Sequence, residues 1–303
     1  MELRDLGYFQ TLATELNFGR AARALHMTQP ALSVAIARLE RQVQAALFER
    51  THRGVVLTPA GAVLLAETSS VLQTVERATE LARRAGAGEY GSLVVGFIDA
   101  AVFDLLPRVL ETFRESYPAV DLTLRHRPSS DLVSAVEDGS FDLAFVRPES
   151  KRTGVNTRLI WREPAVVALH RDSPLAGLDG LHLADIIDQD FVFPESHVAP
   201  SLYANWLELC SIAKFAPRIV AKYSSVQVFV ELIEQGIGIG FASKSWLRRT
   251  EQVVARPLLG GNASLDIALA YRPDRMSTSC RNFVRLAVQQ RSPGFPAETA
   301  AAV

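Results

Sequence analysis

The spacing of hydrophobic residues at the start of the chain predicts a series of short helices. Leucine and phenylalanine recur every three or four residues over residues 3–15, which predicts the first helix. Asn17 is the expected N-cap of a second, short helix, and Thr28 is the expected N-cap of a third. Pro30 fits the first turn of that third helix, where its missing N–H costs nothing. Two helices joined by a tight turn predict a helix-turn-helix.

The stretch after the third helix predicts a wing and then a long helix. Leu47–Arg50 and Val55–Leu57 are expected to form a hairpin, and residues 58–86 a helix. Small and apolar residues fall on heptad a and d positions of that helix: Leu65, Thr68, Leu72, Val75, Thr79 and Ala82. A dimer seam is the favoured interpretation, and packing of the helix on its own domain is the alternative.

From Ser92 onward short apolar segments alternate with amphipathic ones. SLVVGF, VDLTLRH and FDLAFV are separated by helical patterns, so they predict a βαβαβ unit with a parallel sheet. The remaining pattern completes two small α/β subdomains with crossovers near residues 162 and 266. Further strands are expected in PAVVALH, DFVFP, PRIVAKY, IGIGFA and SLDIALAYR, and further helices at 200–212, 225–235, 243–249 and 277–290.

Length and composition narrow the class of protein. The chain has 303 residues, a net charge of −1 and 48% hydrophobic residues, which suits two or three domains with a sizeable core. No apolar run reaches bilayer length, and the MELRDLGYFQ start carries no secretory h-region, so a cytoplasmic protein is expected. Two cysteines and six scattered histidines predict no metal site, no cofactor and no catalytic constellation. A regulator and an exported solute-binding protein are the two classes that fit the second half.

The charge is concentrated near the front of the chain. Residues 17–55 carry Arg20, Arg23, Arg38, Arg41, Arg50 and Arg53 against Glu40 and Glu49. A local basic face beside a helix-turn-helix fits a specific DNA contact rather than general coating of nucleic acid.

The N-terminal side chains of the third helix are the expected base readers, because that end of a recognition helix enters the major groove. They are Thr28, Gln29, Pro30, Ser33 and Val34. Gln29 can pair with one adenine, and Arg38 is expected to touch a phosphate or a nearby acid. In the wing, Arg50, His52 and Arg53 can reach the DNA backbone or the minor groove. Each arginine taken alone is also compatible with a solvated surface charge.

FQTLATELNFGRAARALHMTQPALSVAIARLERQV followed by LFERTHRGVVLTPAG resembles the DNA-binding domain of LysR-type transcriptional regulators. The resemblance implies a winged helix-turn-helix over residues 1–58, a dimerising linker helix over 59–88 and an effector-binding domain over 89–303. The resemblance further implies that this domain is of periplasmic-binding-protein type, with two Rossmann-like subdomains at 91–162 plus 267–291 and at 163–266. The implied partners are double-stranded promoter DNA, a small-molecule effector, a second copy in a homodimer or homotetramer, and RNA polymerase.

Two positions depart from the family pattern. The recognition helix carries Val34 and Ala37 where polar or basic residues are usual, so base contacts there would be apolar, to a thymine methyl for example, or absent. Gln44-Ala45-Ala46 replaces a common glycine before the LF pair, so the helix is expected to end differently.

The effector is expected in a cleft at the carboxyl ends of the strands, where α/β sheets bind ligands. The chain most resembles members that control aromatic catabolism, which implies an aromatic or dicarboxylic metabolite as effector. Residue matching then places contacts at Ala100, Ser129, Arg147, Leu202 and Val226, with Asp99 at the mouth of the cleft. Asp99 would repel an anion unless its carboxylate turns away. Helix capping remains an alternative role for Ser129 and Ser224, as does a surface ion pair for Arg147.

Overall fold

The N-terminal part of the chain folds as the helical pattern predicts. The computed structural model describes residues 1–51, 54–148, 154–260 and 263–290, and it divides the chain into the units Met1–Arg84 and Ala85–Val303. The elements of the first unit are α1 (Leu3–Glu15), α2 (Phe18–Ala24), α3 (Gln29–Val43), β1 (Phe48–Thr51), β2 (Gly54–Leu57) and α4 (Pro59–Gly86).

The helix boundaries follow from side-chain caps at one end and backbone conformation at the other. The Asn17 side chain accepts a hydrogen bond from the Arg20 N–H, and Thr28 Oγ1 accepts one from the Ala31 N–H. Helix α3 ends at Gln44, which adopts the left-handed conformation (φ 56°) that glycine usually supplies. The missing glycine therefore leaves the helix end in place and transfers the strained conformation to a glutamine.

Packing of α1, α2 and α3 builds one small core. The fully buried side chains include Phe9, Leu12, Leu32 and Leu39, and aromatic contact continues into the hairpin through Phe48. Ala21 and Ala22 are buried on α2, and their small size lets the neighbouring helices approach closely. This core fixes α3 with its opposite side exposed.

The start of α4 is fastened to the hairpin by the Thr-Pro-Ala-Gly segment. Thr58 Oγ1 donates to the Ala46 carbonyl at 2.7 Å and accepts from the Gly61 N–H at 2.9 Å. A Cβ atom at Gly61 would lie 2.1 Å from the Leu47 carbonyl oxygen, so only glycine fits there. The segment thus sets where the long helix leaves the domain.

The two interpretations of the heptad pattern in α4 apply to different parts of the helix. Leu65 and Leu72 pack against the core of this unit, and Thr68 is 1% exposed. Farther along, Thr79 and Ala82 are exposed. The first half therefore packs on its own domain, and a dimer seam in the second half stays a prediction.

The second unit alternates strands and helices. Short 3₁₀ turns occur at Asp99–Phe103 and Lys244–Leu247. Its strands and helices are β3 (Gly91–Phe97), α5 (Leu105–Ser116), β4 (Val120–His126), α6 (Ser129–Asp138), β5 (Leu143–Val146), β6 (Asn156–His170), β7 (Asp190–Pro194), α7 (Pro200–Ile212), β8 (Arg218–Tyr223), α8 (Val226–Glu234), β9 (Gly240–Ser243), β10 (Val253–Pro257), β11 (Ser264–Tyr271) and α9 (Thr278–Gln289).

These elements form two lobes that share long strands. The hydrogen-bonded strand order is β10-β6-β11-β5-β3-β4, with β9 also beside β6, and β7 pairs with β8. The first lobe contains β3, β4 and β5 in parallel, and β11 runs antiparallel to β5 and β6. The second lobe contains β7 to β10 with α7 and α8. The prediction of a winged helix-turn-helix followed by two α/β subdomains is confirmed.

Some element boundaries differ from the sequence pattern. Strand β6 begins at Asn156 rather than near Pro164, so the first crossover lies inside one continuous strand. The helix expected at 243–249 is a 3₁₀ turn, and β10 was not predicted. The expected parallel order holds for β3, β4 and β5, but the sheet becomes mixed where β11 returns.

Candidate functional site

Helix α3 presents one open face. Gln29, Pro30 and Val34 are exposed and Ser33 is half-buried, whereas Leu32 and Ile36 on the opposite side are buried. Thr28 caps the helix and is itself exposed. The predicted base readers therefore share one accessible surface around the first two turns of the helix.

Arg38 is a basic residue of α3 with an acidic partner. Its guanidinium donates to Asp5, whose carboxylate is 1% exposed, while 44% of the Arg38 side chain remains exposed. Burial by itself would raise the pKa of Asp5, but the hydrogen bonds from Arg38 and from the Glu2 backbone outweigh it and lower that pKa. Arg38 thus anchors α3 on α1 and still offers part of its guanidinium to solvent.

The hairpin is held against α3 by a half-buried acceptor. Glu40 Oε1 accepts from the backbone N–H groups of Leu47 and Phe48 at 2.8 and 3.3 Å. Arg50 on β1 is exposed, and its guanidinium lies 5.4 Å from the Phe18 ring centroid. His52 and Arg53, the other predicted wing contacts, lie outside the described residues.

The second candidate site is a cleft between the two lobes of the Ala85–Val303 unit. It has a volume of about 60 Å³ and lies at the carboxyl ends of β3, β5, β7 and β8. Its lining includes Ser129, Arg147, Leu202 and Val226, which the resemblance singled out, and Asp99, which was expected at the mouth of the cleft. Ala100, the remaining predicted contact, instead lines a smaller cavity of about 10 Å³ beside the cleft.

The Asp99 carboxylate is directed at protein backbone rather than at the open cleft. Its Oδ1 accepts from the Ala100 N–H at 2.8 Å, and its Oδ2 accepts from the Val226 N–H at 2.6 Å. Val226 begins α8 in the other lobe, so the bond joins residues 127 positions apart. The carboxylate thus occupies the positive end of that helix and connects the lobes.

A second carboxylate also joins the lobes. Asp104, 8% exposed, accepts from Arg108 on its own helix and from Arg248 of the other lobe, the latter at 2.8 Å. Both bridging carboxylates belong to the segment that follows β3. The described conformation is therefore one in which the lobes are fastened together on one side of the cleft.

The serines of the cleft have distinct roles. Ser129 Oγ accepts from the backbone N–H of Arg147 at 3.0 Å, so it joins α6 to the end of β5. Ser225, rather than Ser224, caps α8 by accepting from the Val228 N–H. Ser224 lines the cleft beside it.

Arg147 is a buried cation at the centre of the cleft. It is 8% exposed, its guanidinium lies 6.0 Å from the Trp246 ring centroid, and that guanidinium makes no hydrogen bond or ion pair with any described residue. Burial lowers the pKa of the guanidinium, although the charges of Asp99 and Asp266 act in the other direction. An arginine stays protonated even so, and the alternative of a surface ion pair does not fit this position.

Two hydroxyl groups near Arg147 also lack partners. The Ser201 and Tyr223 hydroxyls are buried, and no described atom completes a hydrogen bond of good geometry with either. Burial raises the pKa of Tyr223, so its hydroxyl stays protonated and can donate. Sequence analysis did not select Tyr223, although its place at the carboxyl end of β8 is the signal that would have found it. Trp246 lies in a segment with no such signal.

A larger space adjoins the cleft. It has a volume of about 480 Å³ and shares Arg147, Ser201 and Leu202 with the cleft. Leu209 of α7 adds apolar surface, and Asn205 adds a polar group. A molecule bound at Arg147 therefore has room to extend along α7.

The geometry of the described residues gives little support to reactive thiols, a metal site or a membrane span. Cys210 and Cys280 are buried, and burial raises the pKa of their thiols to about 11 and about 12, which disfavours reactive thiolates. Across the described ranges no cluster of His, Cys, Asp and Glu is placed to hold a metal ion. In the same ranges no helix combines the length and the apolar character that crossing a membrane requires.

Family models match both parts of the chain. Residues 3–62 match the model described as bacterial regulatory helix-turn-helix protein, lysR family. Residues 86–292 match the model described as LysR substrate binding domain.

Full-length relatives and solved structures agree with those matches. The HTH-type transcriptional regulator AlsR of Bacillus subtilis (strain 168) is 32% identical over 293 residues, which cover 96% of this chain and 97% of AlsR. The crystal structure of CbnR, a LysR family transcriptional regulator, superposes with a TM-score of 0.88 at 25% identity, covering 95% of this chain and all of that one. Full-length CbnR complexed with its target DNA gives a TM-score of 0.85 at 25% identity, with coverages of 96% and 99%.

Proposed function

The chain belongs to the LysR family of DNA-binding transcriptional regulators, and we propose that a small carboxylate bound at Arg147 controls its action on promoter DNA. Its relatives are regulators rather than enzymes, and the chain carries an effector-binding domain. The exported solute-binding protein considered from sequence does not account for the helix-turn-helix.

The DNA-binding half of the proposal rests on the open face of α3. The exposed Gln29 would read an adenine, and the neighbouring contacts would come from Thr28, Pro30, Ser33 and Val34. Phosphate contacts would come from Arg38, Arg50, His52 and Arg53. A relative of the same fold has been seen with its target DNA, which supports this arrangement.

Binding-site selection from a random duplex pool tests the DNA-binding half. We expect the full-length protein to enrich a defined sequence, and Gln29→Ala to relax one base position at a cost of about 1–3 kcal/mol. Arg50→Ala should weaken selected and random DNA alike and reduce the salt dependence of binding. Gln42→Ala, which alters an exposed glutamine farther along α3, is the matched control. Equal losses on both DNAs for Gln29→Ala would contradict its assigned role.

The effector half rests on the guanidinium of Arg147, which has no hydrogen-bond or ion-pair partner among the described residues. Leaving a buried charge without a partner costs several kcal/mol, roughly, so a site that holds one is suited to an anionic ligand. The Ser201 and Tyr223 hydroxyls add donors beside it. A carboxylate takes a bidentate pair from arginine and hydroxyl donors from the sides.

Asp99 does not oppose this assignment, because its carboxylate already accepts from two backbone N–H groups. The helix end that could have bound a ligand carboxylate is therefore occupied from within, and the anion is directed to Arg147. The remainder of an aromatic or dicarboxylic metabolite would extend toward Leu202 and Leu209 in the adjoining space.

A thermal-shift series on the full-length protein tests the effector half. Benzoate and succinate should raise the melting temperature by ligand linkage, whereas benzamide and succinamide should not. Arg147→Met should abolish the shift, and Arg171→Met, an exposed arginine of the same unit, should keep it. A carboxylate shift that persists in Arg147→Met would refute the assignment.

Assembly and signalling complete the proposal. The exposed second half of α4 suits pairing with a second copy, and the homodimer or homotetramer would place two recognition helices on one promoter. Ligand in the cleft would change the angle between the lobes. That change would alter the spacing of the paired DNA-binding domains on the promoter that RNA polymerase uses. The site of action would be the cytoplasm, where promoter DNA lies. Sedimentation of the protein on its selected duplex, with and without benzoate, measures the assembly. A protein that binds the duplex as a monomer under both conditions would contradict the proposed assembly.

A further inference from the structure

The exposed large hydrophobic residue of the recognition helix is a valine, Val34. Successive residues of a helix are turned by about 100°, so Val34 lies roughly opposite Leu32 and Ile36, which are buried in the core. Its relative exposure is 67%, among the highest of the large hydrophobic residues of the chain. An aliphatic side chain therefore stands at the middle of the face that α3 presents outward.

Small and apolar residues continue that face in both directions. Pro30 lies one turn before Val34, and Ala37 lies about one turn after it, and both are exposed. The stripe is bordered by polar groups of Gln29 and Ser33 on the N-terminal turns. Farther along, Arg41 is exposed on the same side.

This stripe fits a thymine better than it fits a protein. Pro30, Val34 and Ala37 form a narrow apolar strip, whereas a stable protein interface buries roughly 800 Å² on each partner. The surrounding Gln29, Arg41 and the basic hairpin suit a polyanion. In the major groove the thymine C5-methyl is the apolar group that a side chain can contact.

We propose that Val34 is a specificity-determining residue that packs against the C5-methyl of a thymine in the operator. This inference rests on the DNA-binding function proposed above. Pro30 stands about 6 Å from Val34 along the helix axis, which is close to two base-pair steps of B-DNA. The selected site should thus contain a thymine opposite Val34, within two steps of the base pair that Pro30 faces.

Replacing thymine by deoxyuridine removes that methyl group and leaves the pairing edge unchanged. Duplexes selected by the full-length protein would be resynthesised with deoxyuridine at each thymine in turn, and affinities measured by fluorescence anisotropy. At one position in each half-site we expect binding to weaken roughly three- to fivefold, the loss that corresponds to one buried methyl group. Other thymines in the half-site should tolerate the change.

Variants of Val34 assign the effect to that side chain. Val34→Ala should bind the thymine and deoxyuridine duplexes with equal affinity, because the partner of the methyl group is gone. Val228→Ala, which shortens a 41% exposed valine in the other unit, should keep the full difference. Circular dichroism of both variants would verify that α3 stays folded.

The outcomes separate this inference from the proposed function. Failure to select any sequence would reject DNA binding itself. Specific binding with no sensitive thymine, or a sensitivity that survives Val34→Ala, would overturn the role of Val34 alone. A Val34→Ala protein that keeps the thymine effect but changes its oligomeric state would assign the stripe to a protein contact and likewise overturn it.

Discussion

Two helix N-termini, one in each unit, show opposite solutions to the same problem. The first N–H groups of a helix have no partner inside the helix and carry partial positive charge. In α3 the cap is Thr28, and the Gln29 N–H bonds to no described residue and faces solvent. In α8 the cap is Ser225, and the Val226 N–H is bonded to the carboxylate of Asp99 from the other lobe.

The difference between the two helix starts fits the function of the unit to which each belongs. An open helix start leaves donors for an external anion such as a DNA phosphate, and its flanking side chains remain free to reach bases. A closed helix start uses an internal anion to fasten two lobes, and Arg147 in the neighbouring cleft, whose guanidinium has no partner among the described residues, would be left for the proposed ligand. Under the proposed function, the group that connects the lobes, Asp99, is distinct from the group that would receive the effector, Arg147.

The largest effect on this comparison is expected from Asp99→Ala, which opens the α8 start. Two backbone N–H groups lose a charged acceptor, so the free energy of unfolding of this unit should fall by about 2–3 kcal/mol. Formate or acetate should restore part of the loss by binding at the vacated position. Tryptophan fluorescence follows the unfolding, because Trp161, Trp206 and Trp246 all lie in this unit.

Two companions sharpen the measurement. Asp99→Asn keeps one oxygen acceptor and should lose less, and Asp179→Ala removes an exposed carboxylate and should change little. An Asp99→Ala protein as stable as the parent, with no response to formate, would show that the carboxylate does not hold the lobes.

A smaller effect is expected from Asp5→Asn, the buried carboxylate of the first unit. The carboxylate is 1% exposed, so weakening its bond to Arg38 should cost about 1–3 kcal/mol at neutral pH. Because the pKa of Asp5 is lowered on folding, its contribution is present above the unfolded-state pKa of about 3.9 and is lost as pH falls through the folded-state value. When the pH falls below about 4, the free energy of unfolding should therefore decrease less in Asp5→Asn than in the parent protein.

Far-UV circular dichroism of the helical first unit against pH would follow this change. Arg38→Met removes the same pair from the other side and should reproduce the reduced acid sensitivity. Parallel acid transitions of parent and Asp5→Asn would contradict the role given to this carboxylate.

The same contrast explains what the sequence could predict. Asn17 and Thr28 are local signals, since each cap acts on a residue three positions away, and the helix-turn-helix was predicted with nearly its observed bounds. The bond between Asp99 and Val226 joins positions 127 apart, and no periodicity encodes it. From the sequence alone, it could only be said that an anionic effector requires the Asp99 carboxylate to turn away from the cleft.

The burial of Arg147 in the cleft could not be predicted from the sequence either. Arg147 follows an apolar strand, which located it but left a surface ion pair open, and its isolation depends on Trp246 and Tyr223 of the other lobe. In α4 the heptad pattern could not tell own-domain packing from a dimer seam. Leu65 and Thr68 lie on the side of α4 that packs against the core of α1 to α3, and those helices come much earlier in the sequence.

The smallest effects are expected from removing the two caps themselves. Thr28→Ala and Ser225→Ala each delete one side-chain acceptor, at a cost of about 1 kcal/mol. The loss at α8 should be the smaller, because Asp99 still neutralises that helix start, and in an Asp99→Ala background the Ser225→Ala loss should increase. Thr28→Ala has no such second anion and should also weaken DNA binding in the selection assay. Denaturant midpoints of the parent, the two cap variants, Asp99→Ala and the Asp99→Ala/Ser225→Ala double variant, measured on each unit, test this comparison. Equal cap losses with no coupling between Ser225 and Asp99 would mean that the open and closed helix starts do not differ in energy.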